Sequence, residues 1–255
     1  MRSTLPITLA GILLLSIPTG LAAQQPEKFK PRIMKDNVEE SSGKMKVEIW
    51  SDVVCPFCYI GKREFENALA QFAHRDSVEV IWRSFELDPR APAKSEFDMY
   101  GMLMNKYGGT REDAKARVSG VVQRAKTVGL EYDMDKAVIG SSFDAHRLIQ
   151  LAKEKGLGSE AEERLFKAYF TEGAHLADHP TLIRLGKEIG LEEKEVKQML
   201  STDRFSEEVR EDERQAHLVG VRGVPFFLID EKLSVSGAQQ SATFLGALEQ
   251  AWNSR

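Results

Sequence analysis

Lys46-Val47-Glu48-Ile49-Trp50-Ser51-Asp52-Val53-Val54-Cys55-Pro56-Phe57-Cys58-Tyr59-Ile60-Gly61-Lys62 decides how this chain is built. Residues 46–50 alternate apolar and polar, the pattern of a half-buried strand. Cys55 and Cys58 then follow, and they are the only 2 cysteines in the chain. Pro56 suits the first turn of a helix, where no N–H is required and φ is already set. Phe65, Leu69 and Phe72 recur at helical spacing beyond it and mark an inward face. A helix start offers unpaired N–H groups and a partial positive charge, and both favour a thiolate. The thiolate is the nucleophile, so a C-x-x-C at a strand-to-helix junction fits reversible dithiol/disulfide chemistry. Cys58 lies on nearly the same face as Phe65, and Gly61 keeps that face thin enough to approach a sheet. Cys55 sits at the helix tip, so the expected attacking thiol is Cys55 and the buried resolving thiol is Cys58.

Blander readings of the pair are weaker. A structural disulfide across so short a ring would restrict the unfolded chain little. A zinc site would need histidines for its other ligands. His175 and His179 are four apart, but Pro180 follows at once and opposes a continuous helix through both. No metal site is expected.

Formal net charge is −4, with near-average charged and apolar content, which argues against a nucleic-acid or membrane-surface role. The N-terminus reads as a secretory signal peptide over 1–23. It has Arg2, the apolar run Ile7 to Ile17 and then Pro18, Gly20, Ala22 and Ala23. That run is too short to span a bilayer. Cleavage after Ala22 leaves Gly20 three positions upstream and fits the small-residue rule better than cleavage after Ala23. No cysteine follows the run, which excludes a lipoprotein anchor. Residues 24–44 are polar and read as a flexible tether. The expected location is exported, periplasmic or extracellular, with no stable membrane insertion after cleavage. A start at Met45 would instead give a cytoplasmic form.

Beyond the opening stretch the pattern gives strand 46–51, helix 56–73 and strand 78–85, with Pro89 and Pro92 marking a loop. Charged helical segments fill about 95–219, followed by strand 225–230, strand 232–236 and helix 241–252. This describes an α/β domain split between 45–92 and 220–255, with an inserted helical domain over 93–219. A strand–helix–strand start requires a right-handed crossover, which places the first helix tip at the strand's C-terminal edge, where open α/β sheets bind ligands.

Gly223-Val224-Pro225-Phe226-Phe227-Leu228-Ile229 is the second informative segment. A proline opening an apolar strand cannot donate to the ladder. A cis Val224–Pro225 bond would turn the Val224 backbone outward, so that a substrate chain could bind in strand-like fashion beside the cysteines. An ordinary trans bond fits the sequence equally well.

Ser51 to Lys62, Phe143-Asp144-Ala145-His146-Arg147-Leu148, Gly220 to Phe227 and Ser236-Gly237-Ala238-Gln239 together resemble the FrnE-like branch of the DsbA thiol–disulfide oxidoreductases. The resemblance covers about residues 45–252. It implies a thioredoxin fold with an inserted all-helical domain, a redox-active Cys55–Cys58 pair and a cis Pro225. It also implies substrate contacts at Pro56, Phe57, Val224 and Pro225. Many members have Trp where this chain has Phe57, and some carry a further cysteine pair that is absent here. Many lack a signal peptide, so the expectation of export rests on residues 1–23 alone.

The expected function is thiol–disulfide exchange with protein or small-molecule thiols and disulfides, without a cofactor. Recycling would fall to a redox partner that the sequence does not identify. No basic residue lies between the cysteines, so an intermediate potential is expected, with oxidation or isomerisation the default in an exported compartment. Asp52 and Glu48 are candidates for a proton relay, and His146 reads as a satisfied structural histidine. Ser236 to Gln239 reads either as a loop shaping the site or as a plain strand-end turn. Two rival functions stand beside this one. Kappa-class glutathione transferases and hydroxychromene-carboxylate isomerases share the architecture, but they typically place a serine where Cys55 stands. A non-catalytic, chaperone-like binding module would make both cysteines dispensable.

Overall fold

A computed structural model describes residues 43–255. The expected signal peptide, and all of the expected tether except Gly43 and Lys44, lie outside the described residues. The chain runs β1 (Met45–Ser51), α1 (Pro56–Gln71), β2 (Val78–Ser84), α2 (Met99–Tyr107), α3 (Arg111–Lys126), α4 (Phe143–Glu154) and α5 (Gly158–Phe170). It continues with α6 (His179–Glu188), α7 (Glu193–Leu200), α8 (Ser206–Val219), β3 (Phe226–Ile229), β4 (Leu233–Ser236) and α9 (Ser241–Asn253).

The four strands form one sheet in the order β2-β1-β3-β4. β1 runs parallel to β2, with Met45 opposite Val78, and antiparallel to β3, with Ile49 opposite Phe227. β1 is therefore an inner strand and is covered on both faces. Val47 and Ile49 pack with Phe65 and Ala68 of α1 and with Phe244 and Leu248 of α9. Trp50 points to the other face, packs with Ala216 and Val221, and donates its indole N–H to the Asp212 carbonyl at 2.8 Å. The alternation that marks β1 as half-buried therefore understates its burial, because α8 covers its polar face.

Seven helices, α2 to α8, stand between β2 and β3. This is the α/β thioredoxin arrangement with a helical insertion. The helices share a core around Phe166, Phe170, Leu148 and Leu151, and that core reaches forward to Cys55, Cys58, Tyr59 and Ile60. The start of α1 therefore belongs to the helical core and its remainder to the sheet core. α1 ends at Gln71 rather than 73, because Phe72 is extended and returns its N–H to the Leu69 carbonyl at 3.1 Å. Ala68 takes the buried place expected of Leu69, which is only partly covered. No helix among the described residues is long and apolar enough to cross a membrane.

Candidate functional site

Cys55 occupies the N-cap of α1 in an extended conformation, and Pro56 opens the helix. The turn that delivers Cys55 is held by its N–H on the Asp52 carbonyl at 2.9 Å, and the Cys58 N–H closes onto the Cys55 carbonyl at 3.0 Å. Both cysteines are free thiols. Cys58 is 1% exposed, and Cys55 is 5% exposed rather than standing open at a helix tip. Burial pushes the Cys58 thiol well above its ordinary range, and the adjacent Cys55 sulfur adds to the effect.

Across from the pair, the Val224–Pro225 bond is cis. The Cys55 thiol donates to the Val224 carbonyl at 3.7 Å. Gly61 explains how closely the two segments approach. A Cβ built there would lie 2.9 Å from the Pro225 ring, so the thin face seen in the sequence meets Pro225 as well as the sheet. The Ser236–Gln239 turn also has a place in the site, because the Gly237 N–H donates to the Pro225 carbonyl at 2.8 Å. It is more than a strand-end turn.

Cys55, Pro56, Phe57 and Val224 line one end of a cleft of about 980 Å³. Phe57 is exposed at its mouth, whereas Pro225 is buried beneath. Met99, Met102, Leu103, Val118 and Val121 of α2 and α3 form the opposite wall. Arg90, Lys106 and Arg117 line the same cleft and make no ion pair among the described residues.

Asp52 is 1% exposed. Its carboxylate accepts from the Val54 N–H at 3.2 Å and the Leu87 N–H at 2.7 Å. Its backbone N–H favours a Cys58 thiolate, while its charge opposes one. Glu48 is placed elsewhere. It pairs with Arg83 at 2.6 Å, and Arg83 also reaches Asp212 at 3.0 Å. Of the two relay candidates, the structure thus brings Asp52 to the cysteine pair and leaves Glu48 in an ion network under α8.

The reading of His146 as a satisfied histidine is corrected. Its ring is fully buried, and neither ring nitrogen has a hydrogen-bond partner. Nε2 lies 3.5 Å from the Asp52 carboxylate, an ion-pair separation. Burial alone would lower its pKa, but Asp52, Glu162 and Glu86 outweigh that and raise it. His175 and His179 do not share a helix. One ring contacts the Ala93 carbonyl at 2.7 Å and the other Asp144 at 2.9 Å. No cluster able to hold a metal occurs among the described residues.

Other contributors were not anticipated. The Tyr132 hydroxyl donates to the Pro56 carbonyl at 2.8 Å and fixes the first turn of α1 from the helical segment. Glu163 accepts from Tyr59 at 2.6 Å and from Lys62 at 2.7 Å, and it also pairs with Arg63. Glu162 is wholly buried, and its one sequence signal is its position on the apolar face of α5 with Leu165, Phe166 and Tyr169. A carboxylate on such a stripe stands out, whereas Tyr132 and Glu86 come from irregular segments with no pattern to mark them.

A family profile described as DSBA-like thioredoxin domain matches residues 46–249. An uncharacterised protein of Bacillus subtilis, YwbO, is 29% identical over 203 residues, which span 79% of this chain and 94% of its own. Among solved structures, a probable DsbA oxidoreductase from Streptomyces coelicolor is 43% identical, with TM-score 0.80 over 83% of this chain and 91% of its own. The cytosolic disulfide reductase DsbM from Pseudomonas aeruginosa, solved with GSH, is 17% identical, with TM-score 0.55 over 81% of this chain and 95% of its own. That last likeness is one of fold alone.

Proposed function

This chain belongs to the DSBA-like thioredoxin domain family, and from that membership we propose that it is a thiol–disulfide oxidoreductase working through Cys55 and Cys58. The observation that carries the reading is the placement of the pair. Cys55 lines the cleft beside the Val224 carbonyl, and Cys58 is closed off behind it.

The chemistry is symmetric. In the reducing direction, the Cys55 thiolate attacks a substrate disulfide R–S–S–R′, a Cys55–S–S–R mixed disulfide forms as the substrate S–S bond breaks, and R′S⁻ leaves and takes up a proton. Cys58 then loses its proton and attacks the Cys55 sulfur. A Cys55–Cys58 bond forms as RS⁻ departs, so two electrons have passed from the pair to the substrate. In the oxidising direction the same steps run backwards, and a substrate dithiol becomes a disulfide. Val224 supports the docking of an extended chain, because its carbonyl already accepts from the Cys55 thiol and can accept from a substrate N–H instead. Pro56 and Phe57 supply the apolar edge against which that chain lies.

Insulin reduction and dithiol-peptide oxidation by wild type and Cys55→Ser test this. Wild type is expected to be active and Cys55→Ser inactive, while Cys58→Ser accumulates a mixed disulfide at Cys55. Equal activity in wild type and Cys55→Ser rules out dithiol catalysis. The specific affinity for the FrnE-like branch is part of the same proposal, resting on Phe143–Leu148 and Ser236–Gln239. So is export, supported by the composition of residues 1–23 and tested by the N-terminal sequence of the mature protein.

A further inference from the structure

Behind the cysteine pair lies a cluster of buried titratable groups that the exchange chemistry leaves unused. Asp52 follows β1, Glu86 follows β2, His146 sits on α4 and Glu162 on α5, and none is more than 5% exposed. Several of their polar atoms are unpartnered: both His146 nitrogens, Glu162 Oε2 and Glu86 Oε1. Buried polar groups are almost always hydrogen-bonded, so four such atoms on three residues from three segments require an explanation.

Every charged group around His146 is accounted for. Asp52, Glu162 and Glu86 face it. Glu86 in turn meets Arg210 of α8 at 3.4 Å, and its N–H donates to Glu213. Lys62 of α1 bears on Glu162 but is committed to Glu66 and Glu163. On α4 itself, Arg147 is spent on the Arg204 and Met199 carbonyls and on Asp144, while Lys153 also bears on Glu162 but donates to the Trp82 carbonyl at 2.9 Å and lies 3.9 Å from Asp212. Burial pushes both Glu86 and Glu162 up despite His146 and the surrounding cations, so these two carboxyl groups beside the imidazole are the members of the cluster that hold protons most readily.

Cys58 has a matching need. It is 1% exposed, so water cannot readily take its proton when it attacks the mixed disulfide. Asp52 acts on it through both its backbone N–H and its charge, and His146 Nε2 stands 3.5 Å from the Asp52 carboxylate.

We infer that His146 is a positioning residue that holds the Asp52 carboxylate in place beside the cysteine pair, and that Glu162, on the far side of His146, stores the proton Cys58 gives up on closing the disulfide. The inserted helices would then supply half of the proton chemistry, which rests on the thiol-exchange reading above. The step balances without any further oxidant. Cys58–SH and the mixed disulfide become the Cys55–Cys58 disulfide and RS⁻, and the proton passes to the cluster. Burial pushes Glu162 up to about 7, against the pull of His146 and Lys62, so the store fills and empties near neutrality.

The test uses reduced full-length protein mixed with one equivalent of 5,5′-dithiobis(2-nitrobenzoate). The first chromophore release reports attack by Cys55, and the second reports displacement by Cys58. In wild type the rate of the second release is expected to inflect near the Glu162 value of about 7. Glu162→Gln is expected to remove that inflection, and His146→Gln to slow the second release about tenfold, with the loss confined to that phase. A second-release profile identical in all three proteins, or without an inflection in wild type, overturns the inference. Absence of any second release in wild type instead defeats the thiol-exchange reading itself. Should the variants not fold, nitrogen-resolved spectra of the 5 histidines in wild type decide. A buried ring that stays charged above its ordinary range and shifts on oxidation of the pair supports the inference, and a neutral, indifferent ring overturns it.

Discussion

Glu162 and His146 both make the folded state hold protons more tightly than the unfolded chain does. Glu162 rises from 4.5 to about 7 through burial, and His146 rises because its acidic neighbours outweigh burial. The unfolded chain therefore binds fewer protons between about pH 4.5 and 7, and stability falls as pH rises through that window. Denaturant midpoints are expected to decline from pH 5 to pH 8 in wild type and to decline less in Glu162→Gln. Glu163 acts the opposite way. Although burial opposes its charge, its bonds to Arg63, Lys62 and Tyr59 hold it down at about 2, so its contribution is present above 4.5 and is lost as pH falls toward 2. At the same scale, Tyr132→Phe removes one hydrogen bond to Pro56 and should cost about 1 kcal/mol, measurable by urea unfolding. The cysteines and Pro56 were legible in the sequence because their meaning is local, a spacing and a turn. The charge state of His146 was not, since it is set by residues from three other segments.

α1 and the Val224–Pro225 segment are set by a steric match between elements. Gly61→Ala places a methyl 2.9 Å from Pro225, and overpacking of this kind costs about 1–3 kcal/mol. The variant is expected to unfold at lower denaturant and to exchange thiols more slowly. α8 is tied to the sheet by Asp212, which accepts from the Ser84 N–H at 2.9 Å and Gln150 at 2.7 Å and pairs with Arg83 at 3.0 Å. Asp212→Ala leaves the buried Ser84 N–H unpaired, while Arg83 keeps Glu48 and Gln150 keeps the Ser84 hydroxyl, a loss of about 1–3 kcal/mol that thermal unfolding reads directly. The strands, α1 and α9 could be placed from periodicity and prolines to within two residues. Sheet order and the docking of α8 against Trp50 could not, because they depend on contacts more than a hundred residues apart. The same distance hid Asp212, which reads in the sequence as one charge among many on a polar helix.

Charge at the scale of the molecule is −4, yet the cleft wall carries Arg90, Lys106 and Arg117 without ion-pair partners among the described residues. An anionic disulfide such as 5,5′-dithiobis(2-nitrobenzoate) should therefore react several-fold faster, relative to neutral 4,4′-dithiodipyridine, in wild type than in Lys106→Ala/Arg117→Ala, and the advantage should fade in high salt. Equal ratios in both proteins would remove these cations from the encounter. Fold class and insertion were readable from the order of strands and helices, whereas the cleft was not, because α2 and α3 become its wall only once folded. Only 5% of Cys55 is open to solvent, in a slot between two walls. A thiol fixed on the convex surface of a compact protein cannot enter such a slot. On the proposed thiol-exchange function, clients must offer their sulfur on a slender stretch, a chain end, a loop or a length not yet folded, and would be sorted by looseness before any electrons move.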